Sequence, residues 1–136
     1  MQDIHFKELR IFENYHMETV EEGHVVMTTK VTPSSLNYYG NTHGGYLFAL
    51  SDQVSGLVVR TTGFESVTLQ SNINYLKAGH LDDTLSIEGK VVHNGRTTKV
   101  IDVVIRNEKK NVLTKASFTM FITGKREMLE KDEDNS

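Results

Sequence analysis

Two kinds of hydrophobic spacing divide the chain. From Gly44 to Thr62 the apolar positions Leu47, Leu50, Val54, Leu57 and Val58 recur at helical intervals, and Phe48, Ala49 and Val59 make the other side apolar too. This predicts one long helix, buried nearly all round and closed by Gly63. Beyond it the period drops to two. Val67, Leu69, Ile73 and Tyr75 alternate with Thr68, Gln70, Asn72 and Asn74, so a strand is expected with the first set on one face and the second on the other. Leu85, Ile87 and Val91 mark a second strand, and the Asn94-Gly95 turn leads into a third carrying Ile101, Val103 and Ile105. Asn107 to Asn111 turns again into a last strand through Val112, Ala116, Phe118, Met120 and Ile122. Ahead of the helix, the runs Tyr15–Val20 and His24–Val31 flank Glu21-Glu22-Gly23 and predict a hairpin. Before that, Phe6, Leu9, Ile11 and Phe12 among charged neighbours suit a short amphipathic helix over 3–13. The economical way to bury one apolar helix with these strands is a single antiparallel sheet curled around it, an α+β fold.

Composition changes this picture little but narrows the chemistry. A chain of 136 residues with one proline and no linker reads as one domain, 1–124, with a charged and nearly apolar-free tail over 125–136. Cysteine is absent, which removes disulfides, iron–sulfur clusters, thiolate zinc sites and cysteine nucleophiles. With 15 basic and 18 acidic residues, no basic block stands out to track a phosphate backbone, so no nucleic-acid partner is expected. The longest apolar stretch, Tyr46–Leu50, is far short of the roughly 20 residues of a membrane span. Met1-Gln2-Asp3-Ile4-His5 lacks the basic region and apolar core of a secretory signal, and a cytoplasmic protein is expected.

The candidate chemistry lies between Asn37 and Asp52. Gly44 and Gly45 at a helix start leave backbone N–H groups unpaired and unshielded, backed by the positive end of the helix. Such donors suit a developing oxyanion; equally, two glycines give a tight turn its backbone room. Asp52 is the more telling residue. Aspartate is a poor helix former, and a buried carboxylate is costly unless paired or used. Either Asp52 and Gln53 mark a narrow exposed strip, or Asp52 is functional; with the glycine pair upstream, function is favoured. His43 has no neighbouring acid–base partner and takes a supporting role in the loop. Asn37 is a turn residue or a polar site group. The remaining histidines lack metal-ligand spacing, so no metal site is expected.

His43-Gly44-Gly45 followed by Asp52, with Asn37 before and long strands after, resembles the PaaI-type hotdog acyl-CoA thioesterases from about Gly23 to Gly124. The resemblance implies a hotdog fold and hydrolysis of an acyl-CoA thioester, with no cofactor beyond the coenzyme A of the substrate. It implies that the Gly44 N–H polarises the thioester carbonyl and that Asp52 acts as general base or nucleophile. Asn37 corresponds to the loop asparagine, and Thr68 to the water-positioning hydroxyl on the strand after the helix. Arg96, Thr97, Thr98 and Lys99 after the Asn94-Gly95 turn are candidates for the coenzyme A phosphates, or simply a solvated hairpin end. The segment Tyr75-Leu76-Lys77-Ala78-Gly79 departs from the family in lacking a proline after the tyrosine. Two other readings stand beside hydrolysis: enoyl-thioester hydration or dehydration, and a non-catalytic acyl-CoA binding module.

Helix geometry adds an expectation about assembly. Gly44 and Asp52 are eight residues apart, hence about 12 Å along one helix, whereas both must approach one carbonyl. A homodimer with composite sites solves this, Asn37 and Gly44 of one chain meeting Asp52 and Thr68 of the other. The resemblance adds a further pairing into a dimer of dimers.

Overall fold

The computed structural model describes residues 12–126. The helix expected over 3–13 and the tail over 125–136 lie largely outside them; Phe12 and Glu13 form a bend, and Lys125 still belongs to a strand. The elements follow in the order β1 (His16–Glu21), β2 (His24–Lys30), a short 3-10 turn, α1 (Gly44–Thr61), β3 (Phe64–Tyr75), β4 (Thr84–Asn94), β5 (Thr98–Arg106) and β6 (Val112–Lys125). The strands form one six-stranded sheet, β1-β2-β4-β5-β6-β3, antiparallel at every step. The sheet wraps α1, as the hydrophobic pattern predicts. Among the described residues no helix is long and apolar enough to cross a membrane.

The core forms where α1 meets the concave face of the sheet. Leu50, Val54 and Val58 of the helix are fully buried with Val25, Leu85, Ile87, Ile101, Val103, Ile105 and Phe118. Close approach at the centre depends on Gly89 of β4. A Cβ there would come within 2.8 Å of Val54 Cγ1 and 2.9 Å of Val58 Cγ2, so the helix rests on bare backbone.

Two expectations change. The helix is not buried all round: Gly45 and Gln53 are exposed or nearly so, and Ala49, Asp52, Gly56 and Arg60 lie beside them without being buried. These positions recur at three- and four-residue steps, so they form one open strip on the side the sheet does not reach. The strict alternation expected in β3 also fails. Its pairing with β6 shifts between Thr68 and Gln70, leaving Leu69 as an extra residue. Such a bulge reverses the facing of everything beyond it. Thr68 therefore shares the helix-facing side with Ile73 and Tyr75, while Val67 and Leu69 stand 54% and 62% exposed.

On the outer face, Glu88 of β4 gathers polar partners from three strands. Its carboxylate lies 2.7 Å from His24 Nε2, 3.3 Å from Arg106 Nη1 and 3.8 Å from Lys90 Nζ. The His24 hydrogen bond, chiefly, holds the Glu88 carboxyl below its ordinary value of 4.5, against the opposing effect of burial. A lowered folded-state value stabilises the fold above the unfolded value, and this contribution is lost as pH falls through the folded one. Glu88→Gln is expected to cost about 1 kcal/mol at pH 7. In urea unfolding, the gap from wild type should close as the pH drops below 4.5.

Candidate active site

The site residues fall into two groups on one helix. At its start, His43 is the exposed N-cap, with φ −61° and ψ 138° and no capping bond from its side chain. Its backbone N–H donates to Ser35 O at 2.8 Å, which ties the loop to the helix. Tyr46 and Leu47 both donate to the His43 carbonyl, at 3.1 and 3.2 Å. The N–H groups of Gly44 and Gly45 have no partner among the described residues. Asn37 stands in the preceding loop, where its Oδ1 accepts from the backbone of Tyr39 at 2.9 Å and of Asn41 at 3.1 Å. Asn107 makes the same pair of bonds in the β5–β6 turn, both at 3.0 Å. The Asn37 oxygen thus shapes its own loop, as asparagine does in turns; its amide nitrogen makes no hydrogen bond among the described residues.

Two turns further along, Asp52 lies half-buried on the open strip. Thr68 donates its hydroxyl to Asp52 Oδ1 at 2.7 Å. Met120 on β6 lies behind the pair, its sulfur 3.6 Å from Thr68 Oγ1 and 3.7 Å from Ser55 Oγ, and Ser55 in turn donates to the Asp52 carbonyl at 2.7 Å. Asp52, Thr68 and Met120 border a cavity of about 380 Å³ together with Gln53, Leu57, Arg60 and Glu65. Glu65 is the other carboxylate there among the described residues, and Arg60 Nη1 holds it at 3.4 Å. A second cavity of about 450 Å³, under the β1–β2 hairpin, shares Gln53, Leu57 and Arg60 with the first and is walled by Phe12, Met17, Val20 and Met27.

Sequence reasoning missed Met120, Ser55 and Tyr75, whose hydroxyl donates to the Gly44 carbonyl at 3.0 Å. Met120 reads as core in any hydrophobic pattern, and Tyr75 carries the wrong parity to share a face with Thr68 unless the bulge is known. The four residues near the Asn94-Gly95 turn separate. Arg96 and Thr97 are exposed and Thr98 half-buried, whereas Lys99 is buried with its ammonium inside the hairpin. It donates to Asn94 Oδ1 and, at 3.2 Å, to the Gly95 carbonyl, and it sits 4.9 Å from the Phe64 ring centroid. The aromatic residues of the loop and helix separate likewise: Tyr38 and Tyr39 are exposed, Tyr46 is core, and Phe48 packs on Phe118. Among the described residues no group of three or more His, Asp or Glu could hold a metal ion.

The sequence profile of the Thioesterase superfamily matches residues 39–114, which contain Gly44, Asp52 and Thr68. The acyl-coenzyme A thioesterase PaaI of Escherichia coli is 33% identical over 95 residues, 70% of this chain and 68% of that protein. A hypothetical thioesterase of Streptococcus pneumoniae TIGR4, crystallised with coenzyme A, is 61% identical, with a TM-score of 0.88 over 91% of this chain and 100% of that one. Further crystal structures of that protein carry the single substitutions Asp52Ala and Thr68Ala. A Streptococcus mutans UA159 protein bound to acetyl CoA is 60% identical, with a TM-score of 0.84 over 91% of this chain and 100% of that one. With its long helix wrapped by a curled antiparallel sheet, the chain belongs to the thioesterase superfamily as a hotdog-fold enzyme of the PaaI type.

Proposed function

We propose that this enzyme hydrolyses acyl-CoA thioesters to free acid and coenzyme A, with Asp52 as the group that activates the attack. The observation that carries the reading is the Asp52–Thr68 pair, a carboxylate and a hydroxyl 2.7 Å apart at the wall of a cavity. Water oriented by the Thr68 hydroxyl beside Asp52 loses its proton to the carboxylate as its oxygen adds to the thioester carbon. The alternative route uses Asp52 itself as nucleophile, forming a mixed anhydride that water then opens. In both, the carbonyl oxygen becomes an oxyanion held by the Gly44 N–H, and collapse expels the coenzyme A thiolate. The apolar cavity that adjoins the site through Gln53, Leu57 and Arg60 would receive the acyl chain. Asn37 would orient water or the leaving thiol, His43 would hold the loop, and Arg96, Thr97, Thr98 and Lys99 would approach the phosphates, Lys99 by moving out of the hairpin.

The pairing of chains belongs to the same proposal. Gly44 and Asp52 stay on one continuous helix, so the estimate of about 12 Å holds within a chain. Among the described residues β3 is an edge strand bonded only to β6, and its exposed Val67 and Leu69 favour cover by a second copy. A two-fold axis there sets Gly44 of one protomer beside Asp52 of its partner, and two such dimers would pair again. A thiol-release assay over an acyl-CoA panel, run beside an absorbance assay for enoyl-CoA hydration, tests the reading. Free thiol with no hydration is expected. Hydration without thiol release would make the protein a hydratase, and tight binding with neither would make it a binding module.

A further inference from the structure

Gly44 is gripped by a residue that its own loop does not supply. Tyr75, the last residue of β3, donates from its hydroxyl to the Gly44 carbonyl at 3.0 Å. Its ring also fills the space where a side chain at position 44 would begin: a Cβ there would lie 3.3 Å from both Cε1 and Cζ. The gripped carbonyl shares one planar peptide unit with the unpartnered Gly45 N–H. Fixing the carbonyl fixes the direction of that N–H. It also polarises it, because hydrogen bonds in series strengthen one another. The neighbouring Gly44 N–H is treated the same way, since the His43 carbonyl of its own peptide accepts two bonds. The Tyr75 phenol, with an ordinary value of 10.0 that partial burial pushes further up, is a proton donor at neutral pH.

We propose that Tyr75 is a positioning residue for thioester hydrolysis: its hydroxyl and ring lock the Gly44–Gly45 segment so that its free N–H groups meet the developing oxyanion in a fixed direction. This role rests on the hydrolytic reading above. The β3 bulge is what makes it available. Thr68 and Tyr75 are seven residues apart and would face opposite ways in a regular strand; with one extra residue between them, one strand serves both Asp52 and Gly44. The clamp also gives Gly44 a specific reason to lack a side chain. A methyl group there presses on the Tyr75 ring, which must give by a few tenths of an ångström, and so loosens its hydrogen bond.

Tyr75→Phe keeps the ring and deletes the hydroxyl. Its kcat for an acyl-CoA is expected to fall about three- to tenfold with KM unchanged, since the lost bond matters when charge develops. Gly44→Ala should fall by a similar factor, and the double variant should be no slower than the slower single one, because both changes break one clamp. Spectra of protein labelled with ¹⁵N-glycine supply a readout independent of turnover. The Gly44 and Gly45 amides should move in Tyr75→Phe while Gly23, Gly89 and Gly124 stay in place. A Tyr75→Phe enzyme with wild-type kcat, multiplicative losses in the double variant, or unmoved Gly44 and Gly45 amides would each overturn the proposal. A wild-type enzyme that releases no thiol from any acyl-CoA would instead sink the hydrolytic reading, and this role with it, even where the amides move.

Discussion

Asp52→Ala is expected to abolish turnover almost completely, by roughly 10²–10⁴-fold, while leaving the fold and substrate binding in place. The loss should be this large because, among the described residues lining the cavity, the other carboxylate is already engaged. Glu65 borders the same cavity, but Arg60 holds its carboxylate at 3.4 Å. The fold should survive because Asp52 lies on the open strip of α1 rather than in the core, and alanine is the better helix former. Asp52→Asn should lose as much. It can still accept the Thr68 hydrogen bond, yet it can neither take a proton from water nor attack a carbonyl. Comparing the two variants therefore separates loss of the charge from loss of the contact. Thiol release at saturating acyl-CoA, with circular dichroism as the folding check, decides the matter. Near-normal turnover in Asp52→Ala would remove the carboxylate from the mechanism.

The long helix was legible because Leu47, Leu50, Val54 and Val58 repeat at the period of the face they bury. The strands β4, β5 and β6 were legible for the matching reason. Leu85 and Ile87, then Ile101, Val103 and Ile105, then Ala116, Phe118 and Met120 each keep strict parity against one core. β3 was legible as a strand but not in its facing. Its bulge at Leu69 leaves no mark in a pattern of apolar and polar residues, since Leu69 is apolar and exposed. The open strip of α1 was hidden for a related reason. Ala49 is as apolar as a core residue, and a sequence does not say whether such a residue meets its own sheet or another surface. At the site, Asp52 stood out as a carboxylate among apolar helix positions, although it lies with Gln53 on the open strip rather than in an all-round buried helix. Its partner Thr68 came only from the family resemblance, because contact between a helix and an edge strand 16 residues on is a property of the assembled sheet.

Activity is expected to reappear when two inactive variants are refolded together. One chain carries Asn37→Ala and Gly44→Pro, which removes the proposed oxyanion donor; the other carries Asp52→Ala. If each site takes Asn37 and Gly44 from one protomer and Asp52 and Thr68 from its partner, the mixed dimer concentrates every lesion in one site and leaves the other intact. With random pairing half the dimers are mixed and each keeps one of two sites, so about a quarter of wild-type activity should return. The geometry behind the expectation is simple. One helix holds Gly44 and Asp52 about 12 Å apart, and a poised water must lie about 3 Å from both its base and the carbonyl carbon. Tyr75 bonds Gly44 and Thr68 bonds Asp52 at separate points along one strand, and on the proposed reading each contact marks one half of a site. An antiparallel copy laid along that strand brings unlike halves together. The control is native mass spectrometry of the refolded mixture, which must show folded mixed dimers. Mixed dimers that form and stay inactive would mean that each chain carries its own complete site, with Gly44 and Asp52 serving different substrates or different steps.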